Sequence, residues 1–262
     1  MTSKRRLAVV IGGANGIGEA TCRLMVRMGW RVVVADRDAA AADALAKELE
    51  GVARTVDVTD AAQIYALADF VEAELGGADA LVVSSGAFQA VLAPEEISPE
   101  AWSHIVNVNL NGTFHCNTAF GVKMAKRGGG SIVNIASVNG MQASKVIAYS
   151  SSKAAVINLT MSLASEWGHA GVRVNAVSPG VTLVQRIIKR WAAGGGTRAF
   201  GDPADHAALA RCVDPNEVAE AIEFLASDRA SAITGVNLPV DAGWVAAAGT
   251  EMYGGPRRAA KA

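Results

Sequence analysis

Short apolar runs recur along this chain, and longer segments with helical spacing separate them. The runs cover residues 7–11, 31–35, 53–56, 80–83, 131–135, 173–177 and 237–240. Because they lack the alternation of apolar and polar residues that a half-exposed strand shows, they suit strands covered on both faces. Strands that alternate with helices form parallel sheets. The pattern therefore predicts an α/β fold, a doubly wound parallel sheet with helices on both faces.

The rest of the chain is organised by two long helical segments and one irregular stretch. Helices are predicted around residues 101–126 and 149–168, where no proline interrupts them, and residues 128–130 are all glycine and would end the first. Residues 183–214 hold several glycines and no clear period, which predicts a mobile excursion that closes over bound ligands. The alternative is a packed amphipathic helix over 183–191 in every state. Residues 245–262 are expected to form a solvated tail.

Size and charge narrow the classes of function. The chain has 262 residues, of which 51% are hydrophobic, and one domain over residues 1–262 is expected. Its 24 basic and 25 acidic residues nearly cancel, which argues against nucleic acid as a partner. The apolar run after the basic start is too short for a signal peptide or a membrane span. Cys22, Cys116 and Cys212 are widely spaced, which fits reduced thiols in a cytoplasm and no metal site.

A glycine-rich turn follows the first predicted strand directly. Gly12, Gly16 and Gly18 allow a tight turn, a close approach of the backbone to a pyrophosphate, and close packing of the next helix. The helix start supplies free N–H groups and a favourable dipole for that anion. The turn therefore predicts a dinucleotide site, although an ordinary tight turn between strand and helix is the alternative.

The second predicted strand is followed by Asp36, 18 residues after Gly18. That is close to where a dinucleotide-binding fold places the acid that binds the adenosine ribose. A carboxylate there accepts hydrogen bonds from the ribose hydroxyls and repels a 2′-phosphate, which favours NAD over NADP. Arg37 opposes this, because a cation at the strand end can pair with a 2′-phosphate. The alternatives are that Asp36 or Asp38 caps the next helix and that Arg37 is a solvated surface charge.

Tyr149 and Lys153 lie one helical turn apart, so they share a face of the predicted helix. A tyrosine is a poor base at neutral pH because its ordinary pKa is about 10. A nearby ammonium, helped by a positive nicotinamide ring, favours the phenolate, and lowering the pKa by about 3 units requires roughly 4 kcal/mol. Such a phenol can take a proton from an alcohol. Taken alone, a Tyr–Lys helical pair is more often a surface feature.

The order of these motifs resembles the short-chain dehydrogenase/reductase family from about residue 7 to residue 243, and it implies a Rossmann-type fold. The matching positions are Gly12, Gly16, Gly18, Asn109 within 106–110, Ser137 at the end of 131–137, Tyr149, Lys153, and the segments 175–182 and 234–241. The resemblance implies that Tyr149 is the general acid/base and that Ser137 binds the substrate oxygen. It also implies that Lys153 holds the nicotinamide ribose and lowers the pKa of the tyrosine, and that Asn109 holds a proton-relaying water. Local hydrogen bonding is the alternative role for Ser137 and Asn109.

The resemblance implies a set of NAD-binding residues along the carboxyl edge of the sheet. They are Gly12, Asn15, Gly16, Ile17, Gly18, Asp36, Arg37, Asp57, Val58, Gly86, Tyr149, Lys153, Pro179, Gly180 and Thr182. Asp57 and Val58 match the step that contacts adenine, and Thr182 would bind the carboxamide or the pyrophosphate. Residues 183–214 would be the substrate loop.

Three departures from the family pattern stand out. Residues 83–86 read Val-Ser-Ser-Gly where the family has Asn-Asn-Ala-Gly, so both asparagine side chains are missing while Gly86 is kept. Ile11 replaces a threonine before the glycine turn. The gap from Ser137 to Tyr149 is one residue shorter than in many members, which predicts a reshaped substrate pocket. None of these changes removes a reacting group.

The sequence therefore predicts an NAD-dependent oxidoreductase that transfers a hydride between the cofactor and a secondary alcohol/ketone pair. An NAD-binding regulatory or scaffold protein of the same fold is the alternative, and dehydration or epimerisation on the same scaffold is a third reading. A small-molecule substrate is the expected partner, with neither membrane nor nucleic acid. By resemblance, the chain is expected to form a homotetramer through its two long helices and its final strand region.

Overall fold

Seven parallel strands form one sheet in a computed structural model that describes residues 5–192 and 202–247. The strands are β1 (Leu7–Ile11), β2 (Arg31–Asp36), β3 (Val52–Thr55), β4 (Ala80–Val83), β5 (Gly130–Ile135), β6 (Val172–Pro179) and β7 (Asn237–Val240). Their order in the sheet is β3-β2-β1-β4-β5-β6-β7, and every neighbouring pair is parallel. The predicted doubly wound sheet is confirmed, and each predicted strand lies within two residues of its observed bounds.

Helices connect the strands on both faces of the sheet. They are α1 (Gly16–Arg27), α2 (Ala39–Glu48), α3 (Ala61–Leu75), α4 (Pro99–Val106), α5 (Gly112–Arg127), α6 (Ile147–Trp167), α7 (Gln185–Ala192), α8 (Pro215–Ala226) and α9 (Trp244–Ala247). The segment predicted as one helix over 101–126 contains a π turn, Asn107–Asn111, between α4 and α5. Gly128 ends α5 in the left-handed conformation with φ 84°, as its glycine run predicts.

The two faces of β1 show how the helices cover the sheet. Val9 and Ile11 belong to a core that includes Ile64 of α3 and Phe120 of α5. Ala8 and Val10 belong to a second core on the other face, with residues of α1 and α8. Strand side chains point alternately to the two faces, so a strand covered on both sides must be apolar throughout. This is why the strands read as continuous apolar runs in the sequence.

The sheet has a topological switch point between β1 and β4. From β1 the chain passes outward to β2 and β3, and it then returns to place β4 on the other side of β1. In open α/β sheets, ligands bind in the crevice at the carboxyl ends of the strands beside such a switch point. The loops that follow β1, β2, β4, β5 and β6 therefore meet at one edge.

The predicted excursion, residues 183–214, contains regular structure over its described parts. Its first part includes α7, and its end lies beside its start, where the Leu183 amide donates a 2.9 Å hydrogen bond to the Val213 carbonyl. Residues 193–201, which include the glycine cluster, lie outside the described residues, as do residues 1–4 and the tail after Ala247. Closure of this segment over ligands stays a prediction. Within the described ranges, no helix is both long and apolar enough to cross a membrane.

Candidate active site

The glycine turn after β1 lies directly against the loop after β4. Gly12 has φ 72°, and a Cβ atom there would lie 2.6 Å from the backbone nitrogen of Ser85. A Cβ atom on Gly18 would lie 2.0 Å from the Gly12 carbonyl oxygen. Any side chain at either position would collide with backbone, so only glycine allows α1 to start this close to β1.

The N-terminus of α1 has the properties of an anion site. Asn15 precedes the helix, and its side chain makes no hydrogen bond to the first turn. The first N–H groups of a helix have no partner within the helix and need an outside acceptor. The residues that follow, Gly16, Ile17 and Gly18, form this first turn. Free amides at a helix start fit the pyrophosphate of a dinucleotide.

Asp36 ends β2, and its carboxylate faces the glycine turn. One carboxylate oxygen accepts a 3.0 Å hydrogen bond from the Ala14 amide, and the other accepts a 3.1 Å bond from the Asp38 amide. Asp38, and not Asp36, caps α2 by accepting a bond from Ala41. A carboxylate has about four acceptor positions. Asp36 therefore keeps capacity for further donors at the end of the strand.

Arg37 and Asp57 lie at the ends of neighbouring strands. Hydrogen bonds from the amide and hydroxyl of Thr59 lower the pKa of Asp57, and the positive charge of Arg37 lowers it further. Arg37 is exposed, and part of its field is balanced by that carboxylate. Val58 packs against the start of α5, since a Cβ atom on Gly112 would lie 2.8 Å from the Val58 Cβ.

The carboxyl end of β5 brings Ser137 to the first turn of α6. Tyr149 lies in that turn, and a hydrogen bond between the hydroxyls of Ser137 and Tyr149 acts to lower the pKa of the tyrosine. The Ser137 hydroxyl oxygen also accepts a bond of 3.1 Å from the Asn139 amide, the local bond considered as its alternative role. Lys153 follows one helical turn later, with its Nζ atom 5.9 Å from the centre of the Tyr149 ring. The predicted Ser137, Tyr149 and Lys153 are thus brought together.

Burial shifts the pKa values of both titratable groups. Loss of hydration raises the pKa of Tyr149, and this outweighs the lowering by the Ser137 hydrogen bond and by the charge of Arg186. Burial lowers the pKa of Lys153 from 10.5 to about 8. The phenol is therefore protonated at neutral pH in the protein alone, and the predicted lowering of its pKa, which includes the positive nicotinamide ring, concerns the cofactor-bound enzyme.

Asn109 lies in the π turn and is fully buried. Its amide group clamps Ala87 in the loop after β4, accepting a 2.7 Å bond from the Ala87 amide and donating a 3.0 Å bond to its carbonyl. It also donates to the Ser152 hydroxyl, which in turn donates to the Tyr149 carbonyl. π turns are rare and often occur at functional sites. Here the turn aims one side chain at both the β4 loop and the helix that carries the tyrosine.

Gly86, Pro179, Gly180 and Thr182 complete the edge. A Cβ atom on Gly86 would lie 3.8 Å from the Lys153 Nζ atom, so this glycine borders the buried lysine. Pro179 ends β6, and a Cβ atom on Gly180 would lie 2.8 Å from the Cα atom of Asp241. The buried Thr182 hydroxyl donates to the Gly180 carbonyl. These residues lie at the same edge as the glycine turn.

Comparisons with known proteins agree with this geometry. A family model described as enoyl-(acyl carrier protein) reductase matches residues 12–245. D-threitol dehydrogenase of Mycolicibacterium smegmatis is 41% identical, covering 91% of this chain and 92% of the relative. Galactitol 2-dehydrogenase (L-tagatose-forming) of Cereibacter sphaeroides is 38% identical, covering 90% and 94%. The chain belongs to the short-chain dehydrogenase/reductase family. The family resemblance predicted from the sequence is confirmed.

A solved structure carries a different name. A crystal structure described as ribose-5-phosphate isomerase from Brucella melitensis 16M has a TM-score of 0.92 and 46% identity, and the match covers 98% of both chains. The two curated relatives above are named as dehydrogenases of polyols. Together with the family assignment, they support an oxidoreductase that acts on alcohols.

The departures from the family pattern have structural explanations. Ile11 replaces the family threonine, and its side chain lies in the main hydrophobic core. In the loop after β4, the Ser84 amide bonds to the Ile11 carbonyl at 2.8 Å, so β4 and β1 stay joined through the backbone. The short stretch from Ser137 to Tyr149 contains a single 3-10 turn that ends at Gly140. A Cβ atom on Gly140 would lie 2.7 Å from the Ala154 nitrogen, so this turn packs directly on α6.

Three residues that support the site were not singled out from the sequence as binding or positioning residues. Asn134 of β5 exchanges hydrogen bonds with Asn117 of α5 and donates to Thr160 of α6, so one buried network joins three elements of this short-chain dehydrogenase/reductase. Buried polar groups of this kind fix a unique arrangement when every partner is satisfied. The sequence signal was weak, since only the polar Asn134 inside an otherwise apolar run marks the network.

Metal ligation is not supported by the described residues. Within residues 5–192 and 202–247, no group of three or more potential ligands from His, Cys, Asp and Glu lies close enough together to hold an ion. The three cysteines are free, and Cys22 and Cys116 are buried. Burial raises the pKa of both buried thiols, which keeps them protonated and unreactive.

Proposed function

We propose that this protein is an NAD(H)-dependent dehydrogenase that interconverts a secondary alcohol and its ketone, with Tyr149 as the general acid/base. The observation that carries the proposal is the juxtaposition of Ser137, Tyr149 and Lys153 at the switch point. Their side chains combine a hydroxyl donor, a phenol and a buried ammonium beside a glycine turn whose amides suit a pyrophosphate. A bound nicotinamide ring supplies the hydride acceptor or donor.

Each residue has a distinct task in this mechanism. In alcohol oxidation, the Tyr149 oxygen takes the hydroxyl proton while the Ser137 hydroxyl donates a hydrogen bond to the substrate oxygen. In ketone reduction, the proton passes from Tyr149 to the substrate oxygen. Because Tyr149 is protonated in the protein alone, its resting state suits reduction, and oxidation requires its pKa to fall. The Lys153 ammonium and the positive charge of the oxidised cofactor act in that direction.

Asn109 positions this machinery. It fixes Ala87 on one side, and through Ser152 it fixes the first turn of α6 on the other. Its side-chain amide makes three hydrogen bonds in these contacts, and its oxygen keeps one acceptor position for the water proposed to relay protons toward Lys153. Correct placement of reacting groups contributes a large share of enzymatic rate acceleration.

NAD is the proposed cofactor because of Asp36. Its carboxylate lies at the end of β2 and would accept hydrogen bonds from ribose hydroxyls, whereas a 2′-phosphate would meet a negative charge. Arg37 is the opposing charge, and Asp57 offsets part of its field. The balance favours NAD.

Small polyhydroxylated molecules are the proposed substrates. The relatives named for D-threitol and for galactitol both act on polyols, and the second forms a ketose, L-tagatose, by oxidising a secondary alcohol. For this chain to oxidise a polyol in the same way, the carbon that bears the secondary hydroxyl must lie near Tyr149.

Two other functions are separated from this one by a simple experiment. The solved structure described as an isomerase raises aldose–ketose isomerisation as a second candidate, which would change no net amount of NADH. An NAD-binding scaffold would bind the cofactor and turn over nothing. We therefore expect polyols and ketoses, tested with NAD and NADH, to change NADH absorbance in stoichiometric amounts. Product formation from a pentose phosphate at constant NADH would establish isomerisation instead, and binding without turnover across the panel would establish a scaffold.

Assembly as a homotetramer in the cytoplasm is part of the proposal. Apolar side chains at Trp102, Phe114 and Met161 are exposed on α4, α5 and α6 in the single chain. The edge strand β7 borders an apolar cavity lined by Phe224, Leu225 and Ile233, among others. Exposed apolar surface on two sides of a chain supports burial between copies.

A further inference from the structure

We propose that Gln89 and Arg186 form a subsite for an anionic oxygen group on the substrate, so that this dehydrogenase acts on hydroxylated acids or phosphates in preference to neutral polyols. The inference rests on the proposed function, because it assigns the substrate class of the same active site. It depends on a cavity beside Tyr149, on one uncommitted buried donor, and on one cation that pairs with no acid among the described residues.

The cavity opens next to the proposed proton-transfer residue. Its lining consists of Phe88, Gln89, Ala90, Arg186 and Ile187. The Phe88 ring packs on the Tyr149 ring with a centroid distance of 4.6 Å and an angle of 54°. The cavity therefore lies one ring away from Tyr149, between the loop after β4 and the helix α7. The volume of about 250 Å³ suits a small molecule.

Gln89 lines this cavity and carries one buried donor. Its Oε1 atom accepts a 2.9 Å hydrogen bond from the Tyr149 amide, which fixes the orientation of the side chain, because only the oxygen can accept from an N–H group. The Nε2 atom is buried and has no hydrogen-bond partner in the described part of the chain. A buried donor without a partner destabilises the protein. A substrate oxygen in the cavity would remove that destabilisation.

Arg186 supplies the charge. It lies in the first turn of α7, with its guanidinium carbon 6.0 Å from the centre of the Phe88 ring. No acidic side chain forms a salt bridge with it among residues 5–192 and 202–247, and no acidic residue lines the cavity. Its field reaches the Tyr149 hydroxyl, whose pKa it lowers. The polar groups in the lining are thus donors, with one positive charge.

A cavity lined by hydrogen-bond donors and one cation favours a ligand group that is negatively charged and only accepts hydrogen bonds. Carboxylates and phosphates offer only acceptors, and their bonds to guanidinium groups are stronger than bonds between neutral partners. A neutral polyol would leave the Arg186 charge unmatched, although its hydroxyls could still meet Gln89. The shared chemistry of carboxylate and phosphate is what the lining recognises, so the substrate carries one of them a few atoms from its carbinol carbon.

Matched substrates provide the test. D-threonate differs from D-threitol, and galactonate from galactitol, by a carboxylate in place of a terminal alcohol, and threitol 4-phosphate supplies the phosphate arm. We expect kcat/KM with NAD to be at least 10-fold higher for an anionic member than for its neutral partner. Arg186→Gln should lower that ratio by roughly 10–100-fold, the range of a lost charge-assisted hydrogen bond. Most of the decrease in kcat/KM for the anionic substrates should come from a higher KM.

Two further variants sharpen the result. Lys189→Gln removes the same charge from the same helix at an exposed position outside the cavity lining, and we expect it to leave the ratio unchanged. Gln89→Glu keeps an acceptor for the Tyr149 amide but replaces the donor with a negative charge, so it should lower the ratio more than Arg186→Gln does. Folding of each variant is checked by its affinity for NADH, measured by fluorescence.

A binding measurement keeps the subsite testable whether or not the substrates turn over. Threonate and threitol are titrated into the enzyme with NADH bound, and NADH fluorescence reports occupancy. Tighter binding of threonate that is lost in Arg186→Gln and retained in Lys189→Gln supports the subsite. Equal affinities for threonate and threitol would overturn it, and so would equal losses of threonate affinity in Arg186→Gln and Lys189→Gln. If the enzyme oxidises only neutral polyols, the subsite is contradicted and the proposed function still holds. If it binds anions but oxidises no substrate, the subsite holds and the proposed function is contradicted.

Discussion

The Nζ atom of Lys153 donates a 2.6 Å hydrogen bond to the carbonyl oxygen of Ile135, the last residue of β5. This bond ties the helix that carries Tyr149 to the carboxyl end of the sheet. The lysine side chain is only 3% exposed, and burial lowers its pKa to about 8. A charged group that is buried away from water destabilises the folded protein, which indicates a functional and not a stabilising role for Lys153.

The first prediction concerns stability and pH. Because the pKa of Lys153 is about 8 in the folded protein and has its ordinary value of 10.5 in the unfolded chain, the unfolded chain binds more protons between these values. The free energy of unfolding contributed by this group therefore rises as pH increases from 8, and the full cost below pH 8 is about 3 kcal/mol. Tyr149 acts with the opposite sign only at higher pH, because its pKa is raised. Urea unfolding of the cofactor-free protein should show the rise between pH 8 and 10.

Lys153→Met is the matched variant for this effect. At pH 7 it removes the cost of the buried charge, about 3 kcal/mol, and leaves the Ile135 carbonyl without its donor, which costs about 1–3 kcal/mol. We expect the variant to be at least as stable as the wild type at pH 7 and to lack the rise above pH 8. A variant that unfolds more readily at pH 7 and keeps the same pH slope would show that the lysine charge stabilises the fold.

The second prediction is a preference for NAD(H) over NADP(H). In the proposed function Asp36 places a negative charge where a 2′-phosphate would bind, so calorimetry should find NADH bound far more tightly than NADPH. Asp36→Ala should narrow the gap, and Arg37 should then assist NADPH. Some loss of stability is expected too, because the Ala14 amide loses its acceptor. Similar affinities of the wild type for both cofactors would rule out this reading of Asp36.

The third prediction concerns Gly140. A Cβ atom there would lie 2.7 Å from both the Ala154 nitrogen and the Lys153 carbonyl carbon, so the turn after Ser137 must move away from α6. A displacement of about 1 Å can cost roughly 100-fold in rate. Gly140→Ala should therefore lower kcat by at least 10-fold while NADH affinity changes little. Gly129→Ala is the control, because a Cβ atom there meets only one atom, at an ordinary 3.5 Å. Equal activity of the two variants would contradict the packing argument.

The fourth prediction concerns the loop at 183–214. We expect α7 to gain protection from hydrogen exchange when NADH and a substrate analogue bind, because Leu183, Ile187 and Ile188 can then bury apolar area over the reacting carbons. Leu183 and Ile188 are exposed in the protein alone. Equal protection in both states would leave this helix as a fixed wall of the pocket.

Much of the fold was accessible from the sequence because it depends on local patterns. The residues of β1, β4 and β7 were predicted to the residue, since continuous apolar runs bounded by polar residues have clear ends. The π turn at Asn109 was not predicted, because it adds one residue to a helical turn without any proline or glycine to mark it. The doubly wound parallel sheet and the family were confirmed, while the homotetramer and the cytoplasmic location stay predictions.

The site was accessible only in part. Ser137, Tyr149 and Lys153 could be placed together because parallel strands end at one edge and because a helical turn separates the last two. The direction of the Tyr149 pKa shift could not be read from spacing, since it depends on how much water the surrounding side chains exclude. The roles of Arg186 and Gln89 depend on contacts between segments about a hundred residues apart, which no local pattern encodes.

Removal of the Tyr149 hydroxyl tests most directly whether this residue is the general acid/base. Tyr149→Phe keeps the ring that packs on Phe88 and removes only the proposed proton-transfer group. The account predicts that NADH binds the variant with wild-type affinity by fluorescence titration, while kcat for the best alcohol falls by roughly 10²–10⁴-fold, the usual contribution of general acid/base catalysis. Turnover within about 10-fold of the wild type, at unchanged NADH affinity, would contradict the role assigned to Tyr149.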